Sequence, residues 1–73
     1  MAWTALHWRG EDYTARQLID AASRFAEESG CVFRSYEIYD DCDLLMIAAV
    51  DEAGEELALE LPLDDLPAYL QRG

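Results

Sequence analysis

The sequence predicts an α+β fold in two layers, in which a long helix packs on a four-stranded, mainly antiparallel sheet and a short helix ends the chain. Three observations support it: one segment has clear helix start and stop signals, several short segments are β-branched, aromatic or alternating, and turn residues separate them. With 73 residues, 52% of them hydrophobic, residues 1–73 suit a single domain with a thin core. The predicted order is β-α-β-β-β-α.

The first strand is predicted at residues 3–9 (WTALHWR), where large side chains precede Gly10. Alternation places Thr4, Leu6 and Trp8 on one face. His7 is the one histidine of the chain, and no acid lies within three residues of it. We therefore expect it to be a packed strand residue and not a catalytic one.

The long helix is predicted at residues 14–29. Thr14 and Gln17 have the spacing of a capping box, and Gly30 stands where a left-handed C-terminal cap belongs. The apolar residues recur at helical spacing and predict the buried stripe: Leu18, Ile19, Ala22, Phe25 and Ala26.

Three further strands are predicted at residues 31–39, 44–50 and 56–61. The second of these is apolar on both faces, which favours a central strand, and residues 51–55 form a loop in which Gly54 supplies a positive φ. The third alternates strictly between leucines and outward-facing residues. Asp64 as a cap and Pro67 in the first turn predict the short final helix.

The net charge of −11 is extreme for this length, and it is unevenly distributed. Residues 1–34 carry five acids against four arginines, a balance of −1, whereas residues 35–73 carry eleven acids against Arg72 alone, a balance of −10. Self-repulsion of this size weakens the folded state, which implies an offsetting use such as solubility or a basic partner.

The sequence contains no catalytic signature, and we expect neither an enzyme nor a cofactor. Cys31 and Cys42 fall at opposite ends of one predicted strand, too far apart for a disulfide, so both are expected as free thiols. From Asp41, the calcium-loop template meets Leu45 and Met46 where it needs an oxygen ligand and a glycine, so we expect no metal site. The N-terminus has no signal-peptide pattern and the longest apolar run is short, so we expect a cytoplasmic protein.

Acidic residues accumulate on the last strands and their turns, and these positions form the candidate partner-binding site. Residues on one face of a strand repeat every ~6.6 Å and neighbouring strands lie ~4.8 Å apart, so carboxylates there form a regular array. A DNA strand carries one negative charge per ~3.4 Å of helix axis, a density of the same order. The candidate residues are Glu37, Tyr39, Asp40, Asp41, Asp43, Asp51, Glu52, Glu55, Glu56 and Glu60.

In size, charge, charge asymmetry and α+β order, the chain resembles small acidic inhibitors that mimic DNA, among them phage-encoded anti-CRISPR proteins. This resemblance implies a non-enzymatic inhibitor that blocks the DNA- or RNA-binding surface of a basic protein target, such as a CRISPR effector complex. The implied partner is a basic nucleic-acid-binding protein or complex. Direct nucleic-acid binding and membrane binding are not expected, and the chain is expected to be a monomer or a weak homodimer.

Two other interpretations stay open. An immunity protein or antitoxin that plugs the active site of a toxic enzyme needs the same acidity, aimed at a catalytic cleft. An adaptor whose acidity serves only solubility would tolerate neutralisation of the array. The genes next to this one would discriminate between an inhibitor of a CRISPR effector and a partner of a toxin.

Overall fold

The computed structural model describes residues 3–70, and their fold is α+β as expected. A two-stranded hairpin, β1-β2, precedes helix α1, and a three-stranded antiparallel sheet of order β3-β4-β5 follows it. The expected four-stranded sheet is matched only roughly, because the first strand pairs with β2 and not with the sheet. The bounds are β1 Thr4–Trp8, β2 Glu11–Thr14, α1 Ala15–Glu28, β3 Val32–Tyr39, β4 Leu44–Val50, β5 Glu56–Pro62 and a 3-10 helix Leu63–Tyr69.

The β1-β2 hairpin turns through two residues, Arg9 (φ 50°) and Gly10 (φ 81°), both in the left-handed region. Two-residue turns of this kind match the twist of antiparallel strands. Leu6 and Tyr13 face each other across the hairpin, and both are buried in the main core. The hairpin is therefore attached to the core by this pair of side chains.

Helix α1 begins with the predicted capping box. Gln17 N donates to Thr14 Oγ1 at 3.2 Å, and Thr14 N donates to Gln17 Oε1 at 2.8 Å. Gly30, after the helix, has φ 74°, as its capping role predicts. Ile19 was expected in the buried stripe but is 43% exposed. Ala21 is buried in its place, together with Leu18, Ala22 and Ala26, and Phe25 packs against the core as a partly buried side chain.

The sheet buries the face that contacts α1. The inward-facing residues are Phe33, Tyr36 and Ile38 of β3, Leu45, Ile47 and Ala49 of β4, and Leu57, Leu59 and Leu61 of β5. The predicted bounds of β4 are confirmed, and so is its central position. The register of β3 shifts between Phe33 and Ser35, which makes Arg34 the extra residue of a β-bulge.

The final helix is a 3-10 helix, and its predicted aspartate cap is wrong. Pro62 occupies the N-cap position and no side chain caps the helix. Leu63 and Leu66 are both fully buried, because residues three apart share a face when a helix has three residues per turn. Asp64 instead makes an ion pair with Arg9, at 2.7 Å from Nε to Oδ1, and accepts from Trp8 Nε1 at 3.3 Å.

Candidate functional site

One face of the three-stranded sheet is left uncovered by the described residues, and we call it the open face. It is the side opposite α1, and none of its residues is buried. Strand alternation and register place twelve residues on it: Val32, Ser35, Glu37 and Tyr39 of β3, Leu44, Met46, Ala48 and Val50 of β4, and Glu56, Ala58, Glu60 and Pro62 of β5. The centre strand of this face is wholly apolar.

Three carboxylates stand on the open face, all on its two edge strands. Glu37 and Glu60 both pair in register with Met46, so one lies on each side of it, with their Cα atoms about 10 Å apart at ~4.8 Å per strand. Glu56 lies beside Val50 at the other end of β5. The result is an apolar stripe along β4 with carboxylates on both flanks.

Small side chains make the middle of the open face concave. Ser35, Ala48 and Ala58 are register partners across the three strands. Two adjoining open hollows, of about 300 and about 150 Å³, share Ser35 and Ala48 in their lining. Arg34 and Glu56 also line the larger hollow, and Glu37 and Met46 also line the smaller one.

The β3-β4 turn places three exposed aspartates at one end of the sheet. Cys42 N donates to Tyr39 O at 3.1 Å, and Asp43 N to Asp40 O at 3.3 Å. Asp43 has φ 56°, and its carbonyl accepts from Leu63 N at 2.9 Å, which joins the turn to the 3-10 helix. The backbone is thus held at both sides, while the carboxylates of Asp40, Asp41 and Asp43 are exposed.

The β4-β5 loop carries the other acids, and one of them has a structural role. Asp51 Oδ1 accepts from Ala53 N and from Glu55 N, both at 2.9 Å. Its carboxylate therefore stabilises the loop conformation, as the side chain of an Asx-turn does. Glu52 and Glu55 are exposed. The two acidic ends of the sheet are about 23 Å apart, from the seven residues of β4 at ~3.3 Å per residue.

Tyr39 and Glu37 are coupled on the open face. Tyr39 Oη donates to Glu37 Oε2 at 2.5 Å. This hydrogen bond, together with the negative charge of Glu37, raises the pKa of Tyr39 above its ordinary value of 10.0. The bond occupies one carboxylate oxygen of Glu37 and leaves the other available to a cation.

Two further tyrosines, Tyr36 and Tyr69, belong to the packed side of the molecule. Tyr36 packs against the main core from the inner face of β3. Tyr69 meets Phe25 edge to face, with ring centroids 5.3 Å apart, and its hydroxyl donates to Glu28 Oε1 at 3.4 Å. Only Tyr39 of these three lies on the open face.

His7 does not pack as expected, because it is exposed and sits opposite Asp12 across the hairpin. Its Nδ1 lies 2.6 Å from Asp12 Oδ1.

Cys31 is buried and Cys42 exposed, and both are free thiols, as expected. Within residues 3–70, no three His, Cys, Asp or Glu side chains converge as metal ligands would.

Sequence reasoning found the acids but not the apolar surface between them. The apolar character of both faces of β4 was visible, but it indicated only a central strand with a helix on at least one side. The number of predicted helices could have revealed this surface. One long helix covers one face of a sheet, so the alternate residues Met46 and Ala48 of β4 are exposed on the other face. Ala58, between two outward-facing glutamates, belongs to the same pattern.

Comparison with protein-family models, with curated proteins and with solved structures finds no match for this chain. No helix among residues 3–70 is long and apolar enough to cross a membrane.

Proposed function

We propose that this chain is an acidic, non-enzymatic inhibitor that occupies the nucleic-acid-binding surface of a basic protein or complex, of which a CRISPR effector complex is one example. The observation that supports it best is the placement of the acids. Nine carboxylates of residues 37–60 lie on the open face or in the two turns that bound it, and no lysine or arginine occurs between Arg34 and Arg72.

Charge density supports the proposal quantitatively. The sheet is about 23 Å long, from seven residues of β4 at ~3.3 Å each. A DNA duplex of that length carries about 14 negative charges, at one per ~1.7 Å. Nine carboxylates on the sheet and its ends reach the same order, on a backbone held by strand pairing. A groove that binds phosphate can therefore accept this surface by charge-complementary docking.

Two acids outside this surface have a cationic partner within the chain. Asp20 of α1 pairs with Arg24 at 3.4 Å, and Asp64 of the 3-10 helix pairs with Arg9 at 2.7 Å. On the open face, the Glu37 carboxylate has one hydrogen bond, from a neutral phenol, so its charge is available to an external cation. We place this action in the cytoplasm, where the free thiols of Cys31 and Cys42 persist.

Capture with competition tests the proposal. The immobilised chain is exposed to a lysate of the organism that encodes it, with and without excess duplex DNA or RNA, and captured proteins are then purified. We expect a nucleic-acid-binding protein whose capture the nucleic acid prevents. Capture of an enzyme whose active site the chain blocks, with no effect of nucleic acid, would overturn the proposal in favour of an immunity protein.

A further inference from the structure

We propose that the open face is a seat for a basic amphipathic helix of the target, with the apolar ridge of that helix along β4 and its lysines or arginines against Glu37, Glu56 and Glu60. The inference rests on the proposed function and deepens it, since it states which part of a basic target is bound. It also means that apolar contacts contribute to binding of the target, in addition to the carboxylates that mimic phosphate charge.

The dimensions of the open face suit one helix. Three strands at ~4.8 Å give a width of about 14 Å, and seven residues at ~3.3 Å give a length of about 23 Å. A helix with its side chains is about 10–12 Å across, and at 1.5 Å per residue about 15 residues cover that length.

The apolar and acidic residues of the open face are arranged to match a basic amphipathic helix. Leu44, Met46, Ala48 and Val50 run along the centre, and the carboxylates lie only on the edge strands. Glu37 and Glu60, about 10 Å apart from the strand spacing, stand where the two flanks of a helix on β4 would be. Basic residues on both sides of an apolar stripe would then meet a carboxylate on each side.

The hollow at the middle of the face fixes where the helix would insert. Ser35 and Ala48 line both open hollows, of about 300 and about 150 Å³; the charged Arg34 and Glu56 also line the larger one, and Glu37 and Met46 the smaller one. One large apolar side chain of the helix fits the smaller hollow, beside Met46 and Ala48. Met46 beside it is an unbranched, polarizable side chain that adapts to different partners.

A second copy of this chain is a poorer occupant. Two open faces brought together would place Glu37 and Glu60 of one copy near the same carboxylates of the other. Each copy also carries a net charge of −11, so association between copies is opposed at long range as well. A basic helix meets neither obstacle.

The probe is a synthetic helical peptide of about 15 residues with one leucine stripe flanked on both sides by lysines. The control peptide has the same composition with the leucines scattered around the helix. Binding to the full chain is measured by calorimetry, and the Met46 methyl resonance, assigned with Met46→Leu, reports the location. We expect the striped peptide to bind at least about tenfold more tightly than the scattered one, about 1.4 kcal/mol, and to shift the Met46 methyl.

Ala48→Tyr fills the hollow at an exposed strand position that favours aromatic residues. Ala5→Tyr, at an exposed position of β1, is the matched control. We expect Ala48→Tyr to weaken binding of the striped peptide at least about tenfold and Ala5→Tyr to leave it unchanged, with the fold of each variant checked by circular dichroism.

Equal binding of both peptides, or an unmoved Met46 methyl, would overturn the inference. So would concentration-dependent dimerisation that Ala48→Tyr abolishes, because the occupant would then be a second copy. If binding of the captured target is weakened by changes to the acidic residues but not by Ala48→Tyr, the proposed helix-binding site is wrong while the proposed function stands. If the striped peptide binds but nucleic acid never competes with the captured protein, the proposed function fails instead.

Discussion

Glu37 and Tyr39 are joined by a hydrogen bond on the open face, two residues apart on one strand, with the phenol as donor at 2.5 Å. The bond favours the neutral phenol, which raises the pKa of Tyr39 above 10.0. The stabilisation it gives to the folded state is therefore present below pH 10 and is lost as the pH rises through the raised pKa.

We expect Glu37→Gln to lower the pKa of Tyr39, because the amide oxygen accepts a weaker hydrogen bond and carries no charge. The pKa is measured as the difference in tyrosinate absorbance between each protein and its Tyr39→Phe derivative. The subtraction is needed because burial, as the largest cause, raises the pKa of Tyr13 and of Tyr69 as well. An unchanged pKa in Glu37→Gln would show that this pair does not form in solution.

Asp64 ties the hairpin turn to the 3-10 helix, and its removal should loosen the hairpin. We expect Asp64→Ala to lower the free energy of unfolding by about 1 kcal/mol, since it deletes an exposed ion pair with Arg9 and a hydrogen bond from Trp8. The measurement is urea denaturation. Asp65→Ala is the control, because Asp65 makes no hydrogen bond or ion pair with the residues described, and a loss of equal size there would contradict this account.

Asp51 should prove structural where its neighbours Glu52 and Glu55 are surface charges. We expect Asp51→Ala to lower the free energy of unfolding by about 1 kcal/mol, because two backbone donors lose their acceptor. Asp51→Asn keeps an acceptor oxygen and should retain most of the stability. If both variants are equally destabilised in urea, the charge of Asp51 matters and the loop hydrogen bonds do not.

Leu66 anchors the 3-10 helix in the core, so this helix should be part of the cooperative unit. We expect Leu66→Ala to lower the free energy of unfolding by about 2–5 kcal/mol, the usual cost of a cavity at a fully buried leucine. Ile19→Ala, at a side chain 43% exposed, should cost less than about 1.5 kcal/mol. Similar losses in thermal or urea unfolding would mean that the 3-10 helix does not share the main core.

The sequence was sufficient for α1 and the β3-β4-β5 meander because their signals are local. Thr14 and Gln17 cap the helix through residues three apart, and β4 is a continuous apolar run between turns. The β2 strand was missed because it is four residues long and begins with two acids. Its one clear signal was Gly10, and the hairpin also needs Arg9 at a positive φ, which non-glycine residues seldom adopt.

The candidate site was predicted only in part, because some of its features depend on local sequence and others on contacts between distant residues. Which residues are acidic, and that Glu37 and Tyr39 share a face, follow from sequence and strand alternation. That Glu37 and Glu60 flank Met46 depends on the register of three strands, which the sequence does not specify by itself. The fate of Asp64 depends on a contact with Arg9, 55 residues away, and not on its local capping pattern.

The most direct test of the central claim compares two double variants of equal charge. Glu37→Gln with Glu60→Gln neutralises the open face, and Glu11→Gln with Glu27→Gln removes two exposed charges elsewhere. Displacement of labelled DNA or RNA from the captured target is measured over a salt series. We predict that the Glu37→Gln, Glu60→Gln variant displaces the labelled nucleic acid about tenfold less effectively than the unmodified chain at low salt. The Glu11→Gln, Glu27→Gln variant should displace it as well as the unmodified chain does. Added salt should reduce the difference between the two variants. Equal inhibition by both variants at every salt concentration would contradict the account.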